Sequence, residues 1–441
     1  MIRRKHERGL QLILRPLVRF LHTEASSGIV LLICTGLALA LANSSLAHAF
    51  HDFWTTNLKI GVGSFVLDKP LEWWVNDCLM TLFFFVVGLE IKRELVAGEL
   101  RDPRKAALPA AAALGGMIVP ALIYLALRYG REGERGWGIP MATDIAFVVG
   151  VMALLGPRVP AGLKILLLSL AIVDDLGAVL VIALAYSENI AMLPLGVAFL
   201  GLGLVVLGRF TGVRSLIPYI LIGLVTWFAT YLSGIHPTIA GVMLGLLTAS
   251  EQKVGRQRLL EIVDIVRDRL RASPGSDDMN GLNDEVQALV EHSQETLSPL
   301  DRFQSALHPW VAFGIMPLFA LANAGVVLDP SLLTHPVATA ASLGLILGKP
   351  IGIFLFSWLS VRSGLARMPQ GVSTPVLFAA GCLGGIGFTM SLFIAGLALE
   401  GNLLNAGKVG ILTGSLVSAL VGSALLLATL PRGENSAEKS A

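Results

Sequence analysis

Two aspartates, Asp174 and Asp175, stand side by side in a stretch that is otherwise almost wholly aliphatic, KILLLSLAIVDDLGAVLVIALAY from Lys164 to Tyr186. The stretch is long enough to cross a bilayer as a helix. A carboxylate at mid-membrane costs roughly 2.5–3.5 kcal/mol on insertion scales, and two adjacent ones also repel. No folding benefit obviously offsets that. Intramembrane carboxylates of this kind point to a cation or proton site. The competing readings are a structural ion pair inside a helix bundle and a loop mistaken for a span. Against the loop, Gly177 is the one turn residue near the pair.

Few other polar groups interrupt the apolar runs. Asp144 lies in GIPMATDIAFVVG, where Pro140 and Thr143 break an otherwise helical pattern. Lys349 lies in LGLILGKPIGIFLF, directly before Pro350. CLGGIGFTMSLF (382–393) combines three glycines with Thr389 and Ser391. His236 and Asp77 fall nearer the ends of their runs. Neighbours on a helix point about 100° apart, so Asp174 and Asp175 cannot both face one partner. One can pair with Lys349 while the other stays free for a cation.

The elements that must hold these residues are membrane helices. Of the 441 residues 54% are hydrophobic and only 15% charged, with a mean hydropathy of +0.72. Soluble domains carry about 25% charged residues. The composition therefore predicts an all-α polytopic membrane protein, one integral domain over 1–441. A net charge of +2 argues against a nucleic-acid partner; the partner is the lipid bilayer. The cysteines, Cys34, Cys78 and Cys382, are odd in number and lie in or beside apolar runs, so no disulfide framework is implied.

The start, MIRRKHERGLQLILRPLVRF, is basic and partly apolar, as a signal peptide or the flank of an uncleaved first helix would be. Apolar runs then recur at 28–48, 74–91, 106–128, 138–155, 163–186, 190–208, 213–232, 236–250, 309–328, 334–361, 372–398 and 403–430. They predict about 12 transmembrane helices. With an even number both termini share a side. All Lys and Arg except Lys59, Lys69, Arg128, Arg131, Arg135, Lys408 and the intramembrane Lys349 fall on that side. The positive-inside rule makes it the cytoplasm.

Two segments lie outside the runs. Residues 50–72 alternate around Gly61 and Gly63 and read as a β-hairpin or a plain loop on the outer face. An exposed hairpin edge can pair with its copy in a second protomer. Residues 251–307 form a long cytoplasmic loop, its first half amphipathic, with SPGSDDMNG as a break. It carries no catalytic constellation and could lie on the membrane surface or against the bundle.

Parity gives spans 3–5 and spans 10–12 opposite orientations, and each triplet has an interruptible middle helix, MATDIAF or GGIGFTMS. This predicts two inverted-topology repeats and two broken helices crossing at mid-membrane. Half-helix ends there carry partial charges that need counter-charges. Asp144 suits the positive ends and Lys349 the negative ends.

Taken in order, VVGLEIKREL (86–95), ATDIAFVVGVMALLG (142–156), VDDLGAV (173–179), HPW (308–310), GKPIGI (348–353) and GGIGFTMSLFIA (384–395) resemble the bacterial NhaA sodium/proton antiporters. The match covers nearly the whole chain. That family is itself a type case of crossed broken helices, so repeat and resemblance are not independent. The resemblance implies electrogenic exchange of cytoplasmic sodium or lithium for external protons, serving pH and sodium homeostasis. It implies no cofactor, the ions being cargo. It further implies a multi-pass protein of the bacterial inner membrane and a homodimer joined through residues 50–72. In the matching motifs Asp175 would be the principal carboxylate for sodium and proton, binding the metal transiently, and Asp174 its partner, ion-paired with Lys349. Thr143 and Asp144 would complete the crossing. Glu90, Arg93 and Glu94 would line the cytoplasmic mouth, where the family's pH response is centred.

Two departures bear on that response. DRFQSALHPW has Gln304 where the family's type member has a glutamate, and the 251–307 loop is longer than in compact members. Other classes compete. A sodium-coupled symporter of the same architecture would need a pocket for an organic solute. An intramembrane aspartyl protease needs two carboxylates that face each other and share a proton, which neighbours on one helix cannot do. A channel sits poorly with titratable carboxylates paired to a lysine.

Overall fold

The computed structural model describes residues 24–62, 65–187, 190–211, 213, 215–251 and 298–430. The basic start, Gly63 and most of the 251–307 segment lie outside the described residues. Each of the twelve apolar runs contains a helix, in the order α1 (Glu24–Ala42), α3 (Leu71–Ala97), α4 (Pro103–Arg128), α5 (Ile145–Leu155), α6 (Ala161–Ala185), α7 (Met192–Phe210), α8 (Leu216–Leu232), α9 (Thr238–Leu247), α10 (Pro299–Asn323), α11 (Pro336–Arg362), the pair α12 (Thr374–Gly384) and α13 (Phe388–Ala398), and α14 (Gly401–Thr429). A short helix α2 (Ala47–Thr55) follows α1. Among the described residues, eight helices are long and apolar enough to cross a membrane, or up to ten if each bent pair is one span. The protein is an all-α multi-pass membrane protein. Length and composition do not by themselves make every run a full span; α8 and α9 are the shorter ones.

Several boundaries differ from the sequence reading, each for a local reason. The first run ends at Ala42 rather than 48, and α2 leaves at 114°. Asn43 makes the break: its amide donates to the Leu39 carbonyl (2.8 Å) and the Val326 carbonyl (2.9 Å), and its oxygen accepts from Leu328 N–H (2.8 Å). An asparagine that meets backbone groups with its own side chain competes with helix continuation. The ninth run starts ten residues early, at Pro299, so the end of the 251–307 segment belongs to a helix. Ser298 caps it, accepting from Asp301 N–H (3.1 Å) and donating to the Asp301 carboxylate (2.8 Å), with Pro299 at the first helical position. Residues 50–55 and 71–72 of the outer segment are helix. The ribbon proper is β1 (Asn57–Val62) against β2 (Phe65–Pro70), antiparallel, from Asn57↔Pro70 to Val62↔Phe65.

The core that positions the polar residues is the packing of α4 on α11. Their backbones meet almost without side chains between them: a Cβ at Gly352 would overlap the Gly115 carbonyl, and one at Gly348 would lie 2.6 Å from Pro120 Cα. Small residues permit such approach in membrane helices. Residues 344–348 are wound as π-helix immediately before Lys349, which points its side chain into the interior with no exposed surface. Widened turns of this kind re-aim the residues beside them.

Candidate ion site

The site is built where two chain breaks touch. Upstream of α5 the chain runs as a 3₁₀ helix, Glu134–Met141, then extends through Ala142–Asp144. The expected first half-helix is therefore not α-helical. Gly136, Gly138 and Pro140 explain it: glycine disfavours the regular helix and proline removes a donor. The second break lies between α12 and α13 at Gly385–Gly387, bent by 45°. Asp144 N–H donates to the Ile386 carbonyl (2.7 Å), and the Thr143 hydroxyl donates to the Gly384 carbonyl at the end of α12 (3.0 Å). The Ser391 hydroxyl donates to the Ile139 carbonyl (2.7 Å).

Asp144 serves both helix starts at once. Its Oδ1 accepts from Phe147 N–H in the first turn of α5 (3.1 Å). Its Oδ2 accepts from Thr389 N–H in the first turn of α13 (3.0 Å), and the Thr389 hydroxyl donates to the same oxygen. A carboxylate shared by two helix N-termini neutralises two positive dipole ends. Asp144, Thr143 and Thr389 are all buried.

At the middle of α6, Asp174 is claimed by Lys349, whose Nζ lies 2.5 Å from Asp174 Oδ2. Lys349 also donates to Thr143 Oγ1 (2.8 Å). Its ammonium thus reaches the C-terminal carbonyl of α12 through Thr143 rather than directly, a refinement of its expected place at the negative ends. Asp175, 2% exposed, points elsewhere: it lines a cavity of about 700 Å³ that Asp174 does not line. Oδ1 of Asp175 and Oδ1 of Asp174 have no hydrogen-bond partner among the described residues. An unmatched buried carboxylate oxygen calls for a ligand or a proton.

The cavity runs from Asp175, Thr143 and Asp144 to Glu90, Arg93 and Glu94 on α3. Gln304 on α10 also lines it and accepts from Arg93 Nη1 (3.3 Å); Lys164 on α6 lines it as well. Glu94 is tied down, its Oε2 accepting from Glu99 N–H (3.0 Å). The residues singled out by sequence thus gather round one cavity, with Lys349 and Asp174 just behind its wall. Asp77 and His236 do not join them. They face each other (3.5 Å), with His236 edge-on to Phe393 at 5.4 Å. Beside them Asn76 and Asn323 exchange amide hydrogen bonds of 3.2 and 2.7 Å. Sequence reasoning gave Thr389 no role of its own; its signal was its place at the first turn after a glycine-rich break.

The family described as Na+/H+ antiporter 1 matches residues 18–426. The Na(+)/H(+) antiporter NhaA of Rhodopirellula baltica is 50% identical over 419 residues, 95% of this chain and 95% of its own length. The Na(+)/H(+) antiporter NhaA 2 of Vibrio vulnificus is 49% identical over 411 residues, 92% and 91% of the two lengths. That of Sorangium cellulosum is 50% identical over 420 residues, 94% and 90%. These names give the symporter reading no support. With its length matched almost end to end and its crossing, aspartate pair and lysine assembled round one cavity, the chain belongs to the Na+/H+ antiporter 1 family.

Proposed function

We propose that the protein exchanges sodium or lithium from the cytoplasm for protons from outside, electrogenically, in the bacterial inner membrane. The observation that carries the site assignment is the division of labour in the aspartate pair. Asp174 is held by Lys349, whereas Asp175 lines the cavity with an oxygen that no described group satisfies. In this reading Asp175 carries the sodium ion or the proton by turns, and Asp174 is its ion-paired partner. Asp144 and Thr143 hold the crossing against the half-helix ends. Glu90, Arg93 and Glu94 form the cytoplasmic entrance, and Gln304, as a neutral amide against Arg93, sets its local charge. The family membership and the relatives' names support the exchange itself.

The remaining features fit the same reading. α4, α5 and α6 with the 3₁₀ helix form one repeat, and α11 to α14 the inverted copy, their breaks meeting at the site. In this reading both termini face the cytoplasm, which the lysine and arginine asymmetry supports. Two protomers join through the ribbon of residues 57–70, whose free edge can accept a second strand. The segment 251–307 tunes the pH profile rather than performing transport.

The test is fluorescence of a pH dye in everted membrane vesicles on adding sodium, lithium or potassium at several pH values. Sodium and lithium should collapse a preformed proton gradient. A preparation that contains the protein yet shows no cation-dependent proton movement at any pH would overturn the reading.

A further inference from the structure

Two buried donors at the start of α13 are served from two different elements. Thr389 N–H goes to Asp144 Oδ2. Phe388 N–H, one residue earlier, goes to Ser415 Oγ on the last helix (3.1 Å). Ser415 is buried on α14. Its surroundings leave the bond little freedom. A Cβ at Gly414 would lie 3.1 Å from Ser342 Cα, and one at Gly385 would lie 2.6 Å from Ser418 Oγ, so α14 packs directly on the second break. Phe388 in turn crosses to Phe147 of α5, edge to face at 4.8 Å. Phe147 is the residue whose N–H holds the other oxygen of Asp144.

We propose that Ser415 is a positioning residue for the ion site, capping α13 from the last helix so that Thr389 and Phe147 meet both oxygens of Asp144. An unpaired N–H at this place would compete for the Asp144 carboxylate, the one strong acceptor already at that helix start, and draw it off its two-helix geometry. The hydroxyl removes that competition without adding charge. A serine that merely filled space would have no such link to the ion. The proposal rests on the reading of Asp144 as a counter-charge within the site.

The experiment is sodium-driven proton exchange by the full-length protein in proteoliposomes, with KM for sodium and maximal rate measured separately. Ser415→Ala should raise KM about three- to ten-fold, the range spanned by one lost neutral hydrogen bond, while maximal rate stays within about two-fold. Ser415→Thr should restore the low KM, and Ser415→Cys, a weaker acceptor, should fall between. Ser423→Ala is the control, because among the described residues that hydroxyl bonds only the Ala419 carbonyl of its own helix (2.6 Å). A wild-type KM in Ser415→Ala, or a fall in rate at unchanged KM, overturns the proposal. Should the alanine variant fail to insert, a cysteine variant with the wild-type KM overturns it equally. Asp144→Asn, measured in parallel, separates the two levels. If Asp144→Asn exchanges normally, the site reading itself fails. If Asp144→Asn is impaired and Ser415→Ala is not, only the capping role falls.

Discussion

Lys349 and Asp174 form a closed ion pair: their charged atoms are 2.5 Å apart and neither side chain has exposed surface. Such a pair is costly to break from one side. Removing one partner strands a charge in a medium that cannot solvate it and costs about 3–5 kcal/mol. Lys349→Ala should therefore lower the melting temperature of purified protein as well as exchange. Asp174→Asn/Lys349→Ala should recover part of the lost stability, because no stranded charge remains. A double variant as unstable as the sum of the singles would refute the pairing as a source of stability.

Asp175 is predicted to behave differently from its neighbour. Asp175→Asn should abolish sodium-dependent proton movement yet leave insertion and folding intact, since it removes a buried charge one oxygen of which has no hydrogen-bond partner among the described residues. Thermal stability at or above wild type with no exchange is the expected pair of results. Substantial exchange by the purified Asn variant would sink the assignment of Asp175 as carrier.

The contrast between these aspartates was legible in the sequence, because helical spacing forbids both from facing one lysine and Lys349 is the single lysine deep in an apolar run. The crossing was legible too, from Pro140, Thr143 and the glycines of 384–387. What the sequence hid were effects of tertiary partners. Ser415 reads as a small packing residue in an apolar helix, and only its bond to a residue 27 positions away reveals more. The widened turns before Met80, Met316 and Lys349 have no sequence signature. Asn43 lies inside the 28–48 run, and only its contacts with Val326 and Leu328 mark where that helix stops.

The close approach of α4 and α11 supplies a third prediction. At Gly352 and Gly348 an added Cβ meets backbone, which cannot rotate away, so the two helices must separate. Overpacking of this sort costs about 1–3 kcal/mol. Gly352→Ala should lower the melting temperature and, by shifting Lys349 on the same helix, reduce exchange. Gly196→Ala and Gly203→Ala on α7 meet no neighbour within 4 Å among the described residues and should be neutral or slightly stabilising. Equal effects at all four positions would show that the contact is not tight.

Sodium and protons should compete for the same carboxylates. A hard cation needs oxygen ligands that are not protonated, so sodium can bind at Asp175 only after a proton leaves. Asp175 shares its surroundings with Asp174, Asp144, Glu90 and Lys349, and the adjacent carboxylates should titrate as a coupled pair, so no single ionisation belongs to either residue. Sodium binding must then release protons, and by linkage the apparent sodium affinity must weaken as pH falls through the pair's titration. The sign is fixed: each lost deprotonated carboxylate is one lost ligand. For one competing proton the limiting slope is about ten-fold in apparent dissociation constant per pH unit. The same competition shuts exchange down in acid without a separate sensor, so Gln304 in place of an acid at the mouth does not by itself remove pH dependence. Isothermal titration of the purified protein in buffers of different ionisation enthalpy reads both quantities. Sodium binding with no proton release, at any pH where the protein is folded, would break the link between the two ions on which the site reading depends.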